Sequence, residues 1–289
     1  MIKFFKKVSI ILLIILIIYK RPIITEGIID AINIWVTNIF PSLFPILILS
    51  DLIISTDLIN TITNLIGPLF SRIFNVSKYG SYVFVMSLLS GCPSNAKYIK
   101  DLLDHKLINK EEGIKILSMS LLYNPVLILS ITPFLSTYDS CFIIILNIII
   151  NLIIGFINRK EKCEFNNYLD LKPQNFNLIN SISKTIDTLL LVLGSLVLFI
   201  ALSSLITFDH PILNGIFEIT NGIKEIASIN NYNHQVIITG ILMSFGGFSI
   251  QTQIKSILKD YDLDYSLFYE SRIIHLLLFI ILLYFKVVF

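Results

Sequence analysis

Charged side chains are scarce in this sequence. Asp, Glu, Lys and Arg make up only 15% of its 289 residues, against about 25% in an ordinary soluble domain. Hydrophobic residues make up 55%, and the mean hydropathy is +0.80. This composition excludes an ordinary soluble globular protein. It predicts an all-α, polytopic membrane protein, because a chain in lipid must satisfy its backbone polar groups within its own helices.

The sequence also lacks the patterns that carry catalysis or metal binding. Its three cysteines, Cys92, Cys141 and Cys163, lie far apart and form no CxxC pair. No metal-ligand spacing, phosphate-binding loop or paired nucleophile and base is present. The net charge is only +2, and the basic residues are scattered rather than clustered in a stripe that could follow a phosphate backbone. We therefore expect no enzyme activity, no metal or other cofactor, and no nucleic-acid partner.

What the sequence does contain is a duplicated, glycine-broken pattern. The segments SGCPSNAKYIKDLL and FGGFSIQTQIKSIL can be overlaid with one constant shift. The overlay places Gly91 on Gly246, Ser94 on Ser249 and Lys100 on Lys255. Two halves with helices interrupted at matching positions are typical of transporters whose substrate site lies between the repeats.

Hydropathy predicts about ten helical elements. Four uncharged stretches are predicted to span the membrane, at residues 31–50, 116–138, 140–158 and 188–208. Five weaker candidates, each short enough to be a half-helix or re-entrant piece, lie at 58–74, 79–91, 212–228, 234–246 and 273–285. If every candidate crosses, the lysine-rich loops 97–115 and 159–184 lie on the side of the N-terminal lysines, as cytoplasmic loops should.

The same count predicts the domain organisation. An odd number of crossings would separate Gly91 from Gly246, so the second half is expected to be inverted relative to the first. The predicted units are an N-terminal anchor helix at 1–27, a first repeat at 28–158, a polar linker at 159–183 and a second repeat at 184–289.

The two breaks supply the first candidate substrate contacts. Gly91 and Pro93 end one helix, and Gly246 and Gly247 end its counterpart, so Ser94 and Ser249 are each expected to cap the next helix. Two helix N-termini near the bilayer midplane would offer free N–H groups and positive dipole ends to an anion. The alternative is that the glycines only allow close helix packing.

The side chains in the first turns after the breaks are also candidates: Asn95, Lys97, Gln251 and Gln253. For Lys97 the alternative is an interfacial lysine that reaches lipid headgroups.

A second group of candidates surrounds Glu218. A carboxylate in an apolar segment must be neutralised by a proton, a cation or a partner, so Glu218 and the nearby Asn221 are predicted to take part in coupling or gating. Pairing of Glu218 with Lys224 at an interface is the alternative. Asn124, which precedes Pro125, can line a cavity where the proline interrupts a span, although a simple kink would explain the same residues.

Three motifs, in order, resemble a known family. The segments are GCPSNAKYIKDLLDHKLINKEEGIKIL followed by LLYNPVLIL, then FEITNGIKEI, then FGGFSIQTQIKSILKDYDLDYSLFYESRIIH. They are similar to the YlbJ-type sporulation integral membrane proteins, within the wider nucleoside-recognition, or Gate, group. The resemblance implies a multi-pass cell-membrane protein, in the outer membrane around the forespore, that passes dipicolinic acid toward the spore.

The expected function is therefore a carrier for a small organic anion, with dipicolinate as the substrate. A nucleoside or related metabolite carrier is one alternative, and a non-transporting morphogenetic protein of sporulation is another. The expected partners are the anionic substrate and the lipid bilayer, and a homo-oligomer or association with other sporulation membrane proteins stays open.

Overall fold

The computed structural model describes residues 2–161, 175–205 and 210–288, and within them every regular element is helical. This confirms the predicted all-α fold. The helices of the first half are α1 Ile2–Tyr19, α2 Arg21–Ile34, α3 Phe40–Ser55, α4 Leu58–Phe74, α5 Lys78–Ser90, α6 Ser94–Asp104, α7 Lys110–Met119, α8 Pro125–Ile131 and α9 Thr137–Ile157. Those of the second half are α10 Leu178–Leu205, α11 Pro211–Phe217, α12 Ile219–Ile226, α13 Tyr232–Phe245, α14 Gly247–Ile257 and α15 Ser266–Val288.

Among the described residues, five helical runs are long and apolar enough to cross a membrane: Arg21–Ser55, Thr137–Lys160, Leu178–Leu205, Tyr232–Ile257 and Ser266–Lys286. The first combines α2 and α3 through one π-helical turn, Trp35–Ile39. Their outward residues are apolar, as expected for surfaces that meet lipid rather than water. The chain is thus an integral membrane protein by length and composition.

The predicted span at 116–138 is wrong. Helix α7 ends at Met119, the chain then runs without helix through residues 120–124, and α8 is a short helix that begins at Pro125. Asn124 makes this start possible, because its side chain accepts hydrogen bonds from the N–H groups of Val126 and Leu127. The weaker candidate at 212–228 is likewise two helices, α11 and α12, which meet at Glu218.

A helix, a glycine break and a second helix occur at both predicted positions. Helix α5 ends at Ser90 before α6 begins, and α13 ends at Phe245 before α14 begins. Gly91 and Gly246 both adopt positive φ, at 78° and 84°, which a side chain would disfavour. A Cβ on Gly91 would also lie 2.3 Å from the backbone N of Asn124. The inverted relation of the two halves stays a prediction, as do the unit boundaries.

Helix α10 joins the two halves of the molecule. It packs against α2 and α3 on one side and against α14 on another. The polar linker predicted at 159–183 overlaps the start of α10, and its residues 162–174, including Cys163, lie outside the described residues. Through α10, the second break is held next to the first half.

Candidate functional site

A small cavity of about 70 Å³ lies where the first break, residue Asn124 and the second half meet. Cys92 and Pro93 reach it from the first break, Glu218 and Thr220 from the start of α12, and Gln253 from α14. The rest of its wall is mainly aliphatic, with Ile39, Leu43, Leu127, Ile128, Ile131, Val192, Leu196, Ile219 and Ile250. No Lys or Arg lines it among the described residues.

Several helices begin around this cavity, but they differ in whether a side chain accepts hydrogen bonds from their first backbone N–H groups. Asn124 caps α8 with its own side chain, and Glu218 does the same for α12. The helices that follow the two breaks, α6 and α14, have no side-chain cap. The expected caps are wrong in position: Ser94 is the first residue of α6 after Pro93, and Ser249 lies within the first turn of α14. Among these four helix starts in the described part of the chain, those of α6 and α14 have no side-chain cap.

Glu218 is almost fully buried and is held entirely by neutral groups. Its Oε1 accepts hydrogen bonds from the backbone N–H and the hydroxyl of Thr220, both at 3.1 Å. The Ser249 hydroxyl is near enough to interact with the carboxylate, and Gln253 donates a hydrogen bond to that hydroxyl at 3.1 Å. The alternative pairing with Lys224 is wrong, because Lys224 forms its ion pair with Asp30 at 2.9 Å. Glu218, Ser249 and Gln253 therefore connect α12 to the second break.

The other predicted site residues lie outside the cavity wall. Asn95 donates to the Ser120 hydroxyl at 3.3 Å, and Gln251 donates to the backbone carbonyl of Phe245 at 3.3 Å. Asn221 donates to the Ser203 hydroxyl at 2.9 Å. These contacts fix α6, α14 and α12 to their neighbours.

Lys97 is buried, which excludes its reaching lipid headgroups. Its ammonium donates to Asp101 at 2.7 Å and to Asp51 on α3. Ser181 on α10 donates to the other oxygen of Asp51 at 2.6 Å. With two carboxylates around it, Lys97 has no uncompensated charge to offer an anion. It ties α3, α6 and α10 together instead.

The comparison with characterised proteins agrees with this membrane architecture. The sporulation integral membrane protein YlbJ of Bacillus subtilis (strain 168) is 25% identical to the chain over 296 residues, and the match covers 84% of this chain and 72% of that protein. The chain is thus similar, over most of its length, to a sporulation integral membrane protein of the YlbJ type. No family model matches the sequence, so membership of the Gate group stays a prediction. No solved structure matches either.

A charged cleft of about 790 Å³ opens beside the Lys97 cluster, between α6, α10 and α14. Its charged residues balance, with Lys97, Lys100, Lys184 and Lys259 against Asp101, Asp104, Asp187 and Asp260. At its rim, the hydrogen bond from the Lys100 ammonium lowers the pKa of the exposed Asp260 carboxyl. Lys97 and Asp101 belong both to the wall of this cleft and to the buried ion pair.

Sequence reasoning missed a polar cluster in α15. Arg272 and His275 are both buried, and His275 meets the Ser244 hydroxyl at 2.6 Å just before the second break. Arg272 donates to the backbone carbonyl of Ser118 at 2.7 Å and to Asn151 at 3.1 Å. The available signal was the intramembrane position of these ionisable residues. The predicted span at 273–285 began too late, which left Arg272 outside it.

Proposed function

We propose that this protein carries a small organic anion, dipicolinate, across the outer forespore membrane of a spore-forming cell. The observation that supports this most is the cavity beside two uncapped helix N-termini, each created by a glycine break. Uncapped N-termini offer N–H groups and a positive dipole end to negative charge. The sporulation setting and the membrane come from the similarity to YlbJ.

The cavity wall suggests how such a carrier would be driven. Glu218 faces the cavity, and a carboxylate there would repel an anionic substrate. Its charge must be neutralised by a proton or a cation when the substrate is present, which couples the two movements. A volume of about 70 Å³ is also close to the space of two water molecules, at about 30 Å³ each. The cavity must therefore widen for dipicolinate, as alternating access requires.

The absence of Lys and Arg from the described cavity wall favours one second candidate, a carrier of a neutral nucleoside or related metabolite. Asn124, Gln253 and Glu218 could hydrogen-bond a base or a sugar while the aliphatic wall covers it. A purely scaffolding protein has less support, because these polar side chains share one internal cavity instead of facing lipid or a loop.

Uptake by the purified protein in liposomes separates these functions. With an inward proton or sodium gradient, we expect labelled dipicolinate to accumulate and a labelled nucleoside not to. Accumulation of the nucleoside alone would establish the second candidate. If neither compound is taken up above the level of protein-free liposomes under either gradient, a carrier of either kind is rejected.

Replacing Ser249 with leucine should reduce dipicolinate uptake at least tenfold. The change removes the hydroxyl that lies beside the Glu218 carboxylate and places a branched side chain at the second break. Overpacking of this kind costs about 1–3 kcal/mol, which is too little to unfold a large helical bundle. Ser130→Leu is the matched control, because Ser130 is exposed on α8. Uptake by Ser249→Leu equal to that of Ser130→Leu, at equal protein abundance, would remove this serine from the site.

Replacing Glu218 with glutamine should uncouple the carrier. The amide keeps the size and the hydrogen-bonding capacity of the side chain but cannot bind a proton or cation as a carboxylate does. We expect the variant to exchange dipicolinate across the membrane but to lose accumulation against a gradient. Glu225→Gln is the control, since Glu225 lies in α12, the helix that Glu218 caps, and accepts hydrogen bonds from Asn214. Full accumulation by Glu218→Gln would show that the ion is bound elsewhere.

A further inference from the structure

Arg272 carries a buried charge that no carboxylate in the described residues neutralises. The residue is 2% exposed, and no carboxylate in residues 2–161, 175–205 or 210–288 forms an ion pair with it. A guanidinium has five N–H donors. The two on Nη2 are used by the Ser118 carbonyl and Asn151, whereas Nε and Nη1 have no hydrogen-bond acceptor in that part of the chain.

Lys115 shows how a buried cation is satisfied elsewhere in the same protein. Lys115 is also buried, at 1% exposed, and its ammonium donates to three backbone carbonyls, those of Asn75, Arg159 and Glu161. Lys97 is compensated in the other way, by two carboxylates. Arg272 has no carboxylate partner in the described residues, and its neutral acceptors reach only Nη2. The Phe268 ring lies 5.7 Å from its Cζ, but a ring contacts only the face of the guanidinium and accepts none of its in-plane N–H groups.

The surroundings of Arg272 are polar and adjoin the candidate site. Asn151 donates to the Leu121 carbonyl at 3.1 Å and to the Asn147 carbonyl at 2.9 Å. Leu121 belongs to the non-helical segment 120–124, whose last residue, Asn124, lines the cavity. An uncompensated charge inside a membrane protein is costly, and such residues commonly mark the path or the site of an ion.

We propose that Arg272 holds a small anion, either a carboxylate group or a halide, through the N–H groups of Nε and Nη1. The anion supplies the counter-charge that this part of the protein lacks. This anion site is separate from the cavity wall and requires no transport, so it can be tested by binding alone.

The test is the thermal unfolding of the purified full-length protein in detergent. The starting buffer is HEPES titrated with N-methylglucamine, to which sodium chloride, sodium acetate or sodium dipicolinate is added. We expect the wild-type unfolding temperature to rise by about 5 °C at saturating anion, as ligand binding to the folded state requires. Arg272→Gln should lose this rise, and Arg272→Lys should need at least tenfold more anion. Lys286→Gln, which removes an ion-paired cation from the same helix, should respond like the wild type.

The three salts identify the anion. A rise with acetate and dipicolinate but not with chloride assigns a carboxylate, whereas a rise with chloride assigns a resident halide, and either result supports the site. No rise with any salt would overturn the proposal, as would an equal rise in Arg272→Gln. If Arg272→Gln does not fold, Arg272→Lys decides: an unchanged anion dependence in that variant would also overturn it. Failure of dipicolinate uptake in liposomes would reject the proposed carrier and leave this result unaffected.

Discussion

Replacing Gly91 with alanine should abolish the folded protein or destabilise it by at least about 4 kcal/mol. Gly91 has φ 78° and ψ −176°, a backbone conformation that is essentially restricted to glycine. The added Cβ would also lie 2.3 Å from the Asn124 N and 3.0 Å from the Tyr123 carbonyl carbon. Backbone atoms cannot move aside as a flexible side chain can. The break would have to open, and segment 120–124 would leave its position beside the cavity.

Gly194→Ala is the matched control for this change. Gly194 lies in α10, and a Cβ built there meets nothing within 4 Å. Alanine favours helix over glycine by about 1 kcal/mol, so this variant should be as stable as the wild type or slightly more so. The measurement is the unfolding temperature and the monodisperse yield of both variants in detergent. Equal behaviour of the two would contradict the close approach of the first break to Asn124.

Replacing Lys97 with methionine should destabilise the protein by about 3–5 kcal/mol, because removing one partner of a buried ion pair leaves the other uncompensated. Here two carboxylates, Asp51 and Asp101, would remain without their cation, and α3 would lose its charged link to α6. The triple variant with Asp51→Asn and Asp101→Asn should recover much of the loss, since no buried charge is then left unpaired.

Lys100→Met provides the comparison with an exposed ion pair. Lys100 contacts Asp260, whose side chain is 54% exposed, and solvent screens such pairs strongly. The unfolding temperature of the Lys100→Met variant should stay close to that of the wild type. A Lys97→Met variant that is no less stable than Lys100→Met would show that the Lys97 cluster does not hold α3, α6 and α10 together.

The glycine breaks could be predicted because their signal is local. A glycine followed by a polar turn, found twice with one shift, predicts an interrupted helix whatever surrounds it, and helices do end and begin at Gly91 and Gly246. The prediction of a span at 116–138 was wrong for the opposite reason, because its outcome depends on distant contacts. Its hydropathy is that of a span, but the Cys92 N–H donates to the Leu122 carbonyl at 2.6 Å, so a distant segment satisfies the non-helical backbone.

The partners of the buried charged residues could not be predicted from the sequence either. Lys97 pairs with Asp51 on another helix, and the Ser249 hydroxyl from the second break lies beside the Glu218 carboxylate. No spacing rule connects such positions, because the contacts exist only once the helices have packed. Arg272 was missed because hydropathy marks the end of a span at a charge, whereas α15 extends as one helix from Ser266 through Arg272.

The proposed function requires that the cavity between the two breaks receives the transported anion. The most direct measurement is an electron cryo-microscopy map of the purified protein in lipid nanodiscs at saturating dipicolinate, compared with a map without it. We expect ligand density bordered by Pro93, Asn124 and Gln253, in a cavity wider than about 70 Å³. An unchanged cavity at saturating dipicolinate, or ligand density only at other positions, would contradict it.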